Sequence, residues 1–282
     1  MPCSAAMPRD APAPPFRHQR ADGAFELGFA PSPRGTVLRH LFQQAPLRVL
    51  FPNPEPGEPP TAALLNCAGG LAGGDALRQS VRLEPGARAT LCTAAAEKLY
   101  RSLGPETRIG THLSLGAGAV LEWLPQEAIL FDGARMARRM QVDLAEGARL
   151  LAVEMLVFGR AAAGERMRTG SVLDSWRLRG PGGLLWADAL AFDDPEAALA
   201  APFGFGGAEA MAMLLLAAPE AEAMRDLLRE AGAAATLPRP GLLLARWLGG
   251  ASAVRRAAGA AIAAVRGAAL GLPPRLPRLW TT

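Results

Sequence analysis

The stretch Val81-Arg82-Leu83-Glu84-Pro85-Gly86-Ala87-Arg88-Ala89-Thr90-Leu91 decides the fold. It reads as a strand, a tight turn and a second strand, each strand with one apolar face. Pro85-Gly86 suits a type II turn, because proline presets φ at the first central position and glycine accepts φ > 0 at the next. The pattern recurs at Leu113–Leu121 (L-S-L-G-A-G-A-V-L) and Val142–Leu150 (V-D-L-A-E-G-A-R-L), and more loosely at Trp176–Leu185 around Pro181-Gly182. The turn glycines fall about thirty residues apart, a period that marks stacked β units. One hairpin of this size cannot bury its own face, whereas several in a stack share a continuous core. The expected fold is mainly β: a layered, mostly antiparallel β-hairpin ladder, sandwich-like or helix-like, over residues 23–208.

Outward from this core, residues 1–22 are rich in proline and alanine and are expected to be disordered. Phe25, Leu27 and Phe29 alternate as in a strand, and Gly35–Leu38 and Leu47–Phe51 read as two more. Asn53–Pro60 is a proline-rich surface loop. Ala62–Cys67 is a buried strand that runs into Gly69-Gly70-Leu71-Ala72-Gly73-Gly74-Asp75. This glycine run has neither dinucleotide nor P-loop spacing, and a strand pattern follows it where a phosphate site needs a helix N-terminus. Nucleotide binding is excluded on that ground. From Ala210 the pattern changes. Met211–Ala217 reads as a strand, Pro219–Glu230 as a helix, Gly241–Trp247 as a strand and Ala251–Leu270 as a helix stopped by Gly271 and Pro273. Residues 209–282 are therefore expected to form a small C-terminal α/β (βαβα) element and an extended tail.

Half of the 282 residues are hydrophobic, enough for a sizeable core. The net charge is only +4, and the cations are arginines apart from Lys98. No basic run carries interleaved aromatics, so nucleic acid is not an expected partner. No apolar stretch reaches the ~20 residues of a membrane span, and the N-terminus has no apolar signal core. The expected location is the cytoplasm. Cys3, Cys67 and Cys92 make no disulfide or zinc pattern, and His18, His40 and His112 are too scattered for a closed transition-metal site.

Chemistry, if present, lies in carboxylates set in or beside apolar strands. Val120–Ala134 (V-L-E-W-L-P-Q-E-A-I-L-F-D-G-A) holds two short apolar runs bent at Pro125, with Glu127 between them and the turn pair Asp132-Gly133 after them. A carboxylate in such a setting either has a partner or lines something wet. Glu154 interrupts Ala152–Arg160, Asp188 interrupts Leu185–Leu190, and Asp75 lies at the mouth of a strand. The segment Thr93–Ser102 carries the only lysine and the only tyrosine, Lys98 and Tyr100, and reads as an irregular strand or a short helix.

Three stretches together, Asn66–Asp75 (N-C-A-G-G-L-A-G-G-D), Thr93–Ser102 (T-A-A-A-E-K-L-Y-R-S) and Leu121–Ala134, resemble the signature segments of the urease accessory protein D family, UreD or UreH. The resemblance extends from about Gly23 to Trp280, and W-L-P-Q-E-x-I-L-F-D-G-A is its most specific part. Cys67 and Ala68 stand where Thr or Ser is common, and the segment before Lys98 is alanine-rich; neither change touches a charged position.

The resemblance implies a non-enzymatic protein that assists nickel insertion into apo-urease. It implies direct contact with urease and with accessory protein F, recruitment through F of the GTPase G, no tightly bound cofactor and Ni²⁺ in transit through an internal passage, and it leaves open whether the chain is dimeric within the complex. On that implication Asp75, Glu127, Glu154 and Asp188 are the candidate passage residues, with Thr93 and Ser102 as lesser ones. Spaced carboxylates suit the task, since they hold a divalent ion more weakly than thiolate or imidazole clusters and so let it leave. Two rival readings remain open: an adaptor that recruits F and G without carrying metal, and a β-rich hydrolase that uses two carboxylates on a sugar.

Overall fold

The computed structural model describes residues 19–281, so the expectation for residues 1–18 lies outside the described residues. The strands in chain order are β1 (Asp22–Ser32), β2 (Gly35–Gln44), β3 (Leu47–Leu50), β4 (Thr61–Asn66), β5 (Ala76–Leu83), β6 (Arg88–Thr93), β7 (Glu97–Leu99), β8 (Thr107–Leu115) and β9 (Val120–Leu124). They continue with β10 (Ala128–Leu130), β11 (Arg135–Leu144), β12 (Arg149–Arg160), β13 (Glu165–Arg166), β14 (Ser171–Gly180), β15 (Gly183–Phe192), β16 (Ala210–Ala217), β17 (Ala234–Arg239) and β18 (Leu242–Gly249). Three α-helices join them: α1 (Pro195–Ala200), α2 (Ala221–Glu230) and α3 (Ala251–Leu270).

The chain is mainly β, with two stacked sheets in a solenoid-like arrangement and a few helices. The first sheet runs β15-β14-β11-β8-β5-β1-β2, and the main path of the second runs β17-β18-β16-β12-β9-β6-β4-β3. Successive copies of the repeat lie side by side in parallel: β5 with β8, β8 with β11, β6 with β9 and β9 with β12. The expected direction was antiparallel, and the difference has a clear cause. In the first three copies the tight turn does not fold a strand back beside its partner. It carries the chain across from one sheet to the other, as from β5 to β6, so Leu83 and Leu91 meet through the core. Only the looser fourth copy is a true hairpin, with β14 antiparallel to β15 around Pro181-Gly182. An arch between sheets and a hairpin within one have the same alternation, so periodicity alone does not separate them.

The turns stack as the strands do. Gly86, Gly118 and Gly147 all have positive φ, near 76°, 64° and 67°. The Gly86 N–H donates to the Ala117 carbonyl at 2.9 Å and the Gly118 N–H to the Glu146 carbonyl at 3.0 Å. Turns this close leave no room for a side chain at Gly116, where a Cβ would lie 2.6 Å from the Pro85 nitrogen.

One apolar core fills the space between the sheets, and a second lies between the outer face of the second sheet and the helices α2 and α3. The C-terminal element adds the unexpected strand β17 and is continuous with the body, because β16 pairs antiparallel with β12. Helix α3 has the expected bounds and buries Val254, Ala258, Ile262 and Val265. Arg88 and Arg149 donate to the carbonyls of Leu270 and Ala269 at 2.7 and 2.6 Å. These cations satisfy carbonyls that a helix end leaves open and oppose its negative pole.

A buried ion cluster ties α3 to the second sheet. Arg266, fully buried, donates through Nε to Glu122 Oε1 at 2.7 Å and pairs with Glu58 in the proline-rich loop; Thr90 donates to the other Glu122 oxygen at 2.5 Å. Removing the cation alone strands a buried carboxylate. Arg266→Met is therefore expected to lower stability by roughly 3–5 kcal/mol in urea unfolding, and adding Glu122→Leu to restore much of the loss. A loss below ~1 kcal/mol for Arg266→Met would show that the cluster does not hold the helix.

Candidate functional site

At one end of the body, β11, β14 and β15 of the first sheet face β12, β16 and β18 of the second. Their inward positions continue the apolar alternation, with interruptions. Arg138 lies between Met136 and Met140, Asp174 between Val172 and Trp176, Glu154 between Ala152 and Leu156, and Arg246 follows Leu244. Asp188 joins them from β15, opposite Trp176 in the register. Together they line a cleft of about 490 Å³ whose apolar wall includes Phe205, Met211 and Met213.

The charges form a chain of contacts. Arg138 grips Asp174 with two hydrogen bonds, Nε to Oδ1 at 3.0 Å and Nη2 to Oδ2 at 2.6 Å, and pairs through Nη1 with Glu154. The Trp123 indole N–H donates to Glu154 Oε1 at 3.2 Å. Asp188 pairs with Arg246 at the more open side of the cleft. Burial is the largest effect on Glu154 and pushes its carboxyl up to about 7; Arg138 opposes the shift and the Asp174 carboxylate adds to it. Burial also works against the charge on Arg138, but Asp174 and Glu154 outweigh it and hold the guanidinium ionised. Three carboxylates thus share one cleft with two guanidiniums. A cation or a proton is the natural complement to that imbalance. Among the described residues no three His, Cys, Asp or Glu side chains converge as a metal-ligand set.

Of the four carboxylates marked in the sequence, the cleft unites Glu154 and Asp188 and leaves out the other two. Asp75 accepts the backbone N–H groups of Ala21 and Ala72 at 2.8 and 2.7 Å, which closes the glycine-rich loop. Glu127 pairs with Arg255 of α3, and Gln126 beside it accepts from the same guanidinium at 3.1 Å. Gln126 also donates to the Leu279 carbonyl at 2.7 Å, and the Trp280 indole to the Leu124 carbonyl at 2.9 Å. The most distinctive motif is thus where α3 and the tail fasten to the second sheet. Asp132 plays a similar part. Burial works to raise its pKa, but its Oδ1 accepts from the Arg168 and Thr169 amides, each at 2.9 Å, and these bonds with the Thr169 hydroxyl and Arg101 outweigh burial and hold the pKa below the ordinary range.

Thr93 accepts from the Gln126 N–H at 2.8 Å, and Ser102 closes a local turn by donating to the Pro105 carbonyl at 2.6 Å. Thr93 also lines a second cavity of about 330 Å³ with Asn66, Gly70, Glu97 and Lys98. The segment around it is an irregular strand, not a helix: Glu97–Leu99 is β7, paired in parallel with β10. Glu97 accepts from Asn66 Nδ2 at 3.0 Å on both oxygens, and burial still pushes its carboxyl up to about 7, with Asp75 adding repulsion.

Sequence reasoning missed Arg138, Asp174, Glu97 and Glu122. For Arg138 and Asp174 a signal existed, since each occupies an inward position of a strictly alternating strand. Glu122 carried the same signal as Glu154, a charge inside the apolar run Val120–Leu124, whereas Glu97 had none, because its partial burial is imposed by segments far away in the chain.

The fold is thus a layered β scaffold with a charged cluster beside an otherwise largely apolar cleft. The family model described as "UreD urease accessory protein" matches residues 21–281, and the chain belongs to this family. Urease accessory protein UreD of Granulibacter bethesdensis is 55% identical over 238 residues, covering 82% of this chain and 99% of that protein. The protein of the same name from Methylobacterium sp. (strain 4-46) is 45% identical, covering 94% and 96%, and that from Magnetococcus marinus is 42% identical, covering 93% and 94%. Membership supports a role in urease maturation. Among the described residues no helix is long and apolar enough to cross a membrane.

The raised carboxyl of Glu97 makes stability depend on pH. Its folded pKa, about 7, exceeds the ordinary 4.5, so its contribution is full below pH 4.5 and is lost as pH rises through about 7. Glu97→Gln is expected to remove roughly 1–3 kcal/mol of the fall in stability between pH 5 and 8, measured by urea unfolding at several pH values. A slope identical to that of the unsubstituted chain would place Glu97 in water.

Proposed function

We propose that this chain is a non-catalytic maturation factor of the cytoplasm that joins apo-urease to accessory protein F and, through F, to the GTPase G. In this reading the cleft lined by Glu154 and Asp188 is a stretch of the route taken by Ni²⁺, the cargo. Family membership supports the setting. The observation that carries the passage is the excess of carboxylates over guanidiniums in a cleft between two sheets. An oxygen-rich wall with a partly neutralised Glu154 attracts a divalent cation and lets it go, which a thiolate or imidazole cluster would not. Asp75, near enough to Glu97 to repel its charge, is a further acidic station. Glu127 and Ser102 serve the frame.

One observation favours a second reading. Glu154 and Asp188 are each held by an arginine, which suits an adaptor that assembles partners and carries no metal. The same pairing weighs against a sugar hydrolase, whose acid and nucleophile must be free to reach the glycosidic bond.

Nickel content per urease active site separates the two, measured in cells with the cognate urease and accessory genes. Deletion of this chain is expected to leave urease nickel-poor. Glu154→Gln is expected to lower nickel severalfold while F, G and urease still co-purify. Full loading by Glu154→Gln would favour the adaptor, and full loading after deletion would remove the maturation role.

A further inference from the structure

The outer face of the first sheet is unlike the rest of the surface. Residues facing away from the core on β1, β5, β8, β11 and β14 include three acids, Asp22, Glu26 and Asp143. These pair with Arg78, His40 and His112. Six further arginines, Arg82, Arg108, Arg135, Arg139, Arg177 and Arg179, are exposed there and have no side-chain ion pair or hydrogen bond among the described residues. The in-register neighbours of the two nearest the centre are small. Arg139 lies between Gly110 and Ser175, and Arg108 between Ala76 and Ala137. Arg177 has Gln141 beside it, and Arg179 has Asp143, which His112 already holds.

Gly110 is the second observation. It lies in the middle of β8, near the centre of this face. Its φ is not positive, and a Cβ would meet only the Leu77 carbonyl oxygen, at 4.0 Å. Neither conformation nor packing calls for glycine, although a glycine inside a strand costs about 0.5–1 kcal/mol relative to alanine. Such a residue marks close approach by another group. A shallow cavity of about 470 Å³ lies over it, bounded by Arg78, Arg139, His112, Gln141 and Phe42, and by Glu26, which His40 holds.

We propose that this face docks an acidic segment of a partner protein, with a carboxylate seated over Gly110 beside Arg139 and the flanking charges met by Arg82 and Arg177. The complementarity is that of guanidinium and carboxylate. Single-stranded nucleic acid fits less well, because a stacking platform is missing: of the two phenylalanines bounding the cavity, Phe25 is buried in the core and only Phe42, on the edge strand, is exposed. The inference names a docking face for the maturation role proposed above, and rests on that role only in supposing a protein partner.

The test uses the full chain and a short fluorescent poly-glutamate peptide, followed by anisotropy at several salt concentrations, with single-stranded RNA of equal length in parallel. The peptide is expected to bind, more weakly as salt rises. Arg139→Glu and Gly110→Val are each expected to weaken it about tenfold with the thermal midpoint unchanged. Arg256→Glu, the same charge change on α3, is expected to leave binding intact. Gly110→Val keeps the net charge, so its effect isolates the trough. Absence of peptide binding, an equal loss from Arg256→Glu, or tighter binding of RNA would overturn the proposal. Peptide binding by a chain whose deletion leaves urease fully loaded would uphold the face and reject the urease reading.

Discussion

The structure depends on the stacking of three turns. Each arch crosses between the sheets at a glycine with positive φ, and the first and second turns each donate a backbone hydrogen bond to the next. That contact fixes the parallel register of β5, β8 and β11 on one side and of β6, β9 and β12 on the other. No single arch could bury its apolar face, so the repeats stand or fall together. The C-terminal strands then extend the second sheet, and α3 covers its outer face.

Within this frame the two sides of the second sheet treat charge differently. Toward α3, Glu122 and Arg266 lock one layer to another and are sealed from water, with Glu58 and Thr90 meeting their remaining polar atoms. Toward the first sheet, Arg138, Glu154 and Asp174 border a cleft and are joined there by Asp188 and Arg246. Burying ions is costly, and an apolar replacement of similar volume often serves stability as well. The sealed cluster has an architectural use in fixing α3. The cluster beside the cleft fastens no helix, which is why the functional reading settles on it.

The motifs that identify the family are for the most part joints. Gln126 and Glu127 hold α3 and the tail, Asp132 holds the loop before β14, and Asp75 closes the glycine-rich loop. A distinctive motif therefore need not be the site. Here it is the set of points at which distant segments are fastened.

Much of the fold was legible in the sequence. The repeat, its turn glycines, α3 with its stop signals and the mainly β class all follow from periodicity and from what glycine and proline permit. Of the site, Glu154 and Asp188 stood out as charges inside apolar runs. The sequence did not carry the direction of strand pairing, because arch and hairpin share one alternation and differ only in which segment lies alongside. Nor did it show that Arg138 and Asp174 meet Glu154, that Glu97 is half-buried, or that Arg266 seals Glu122 from water. Those facts belong to the tertiary structure, because hydrogen bonding, burial and charge pairing depend on neighbours in space, and here the neighbours come from strands and helices far apart in the chain.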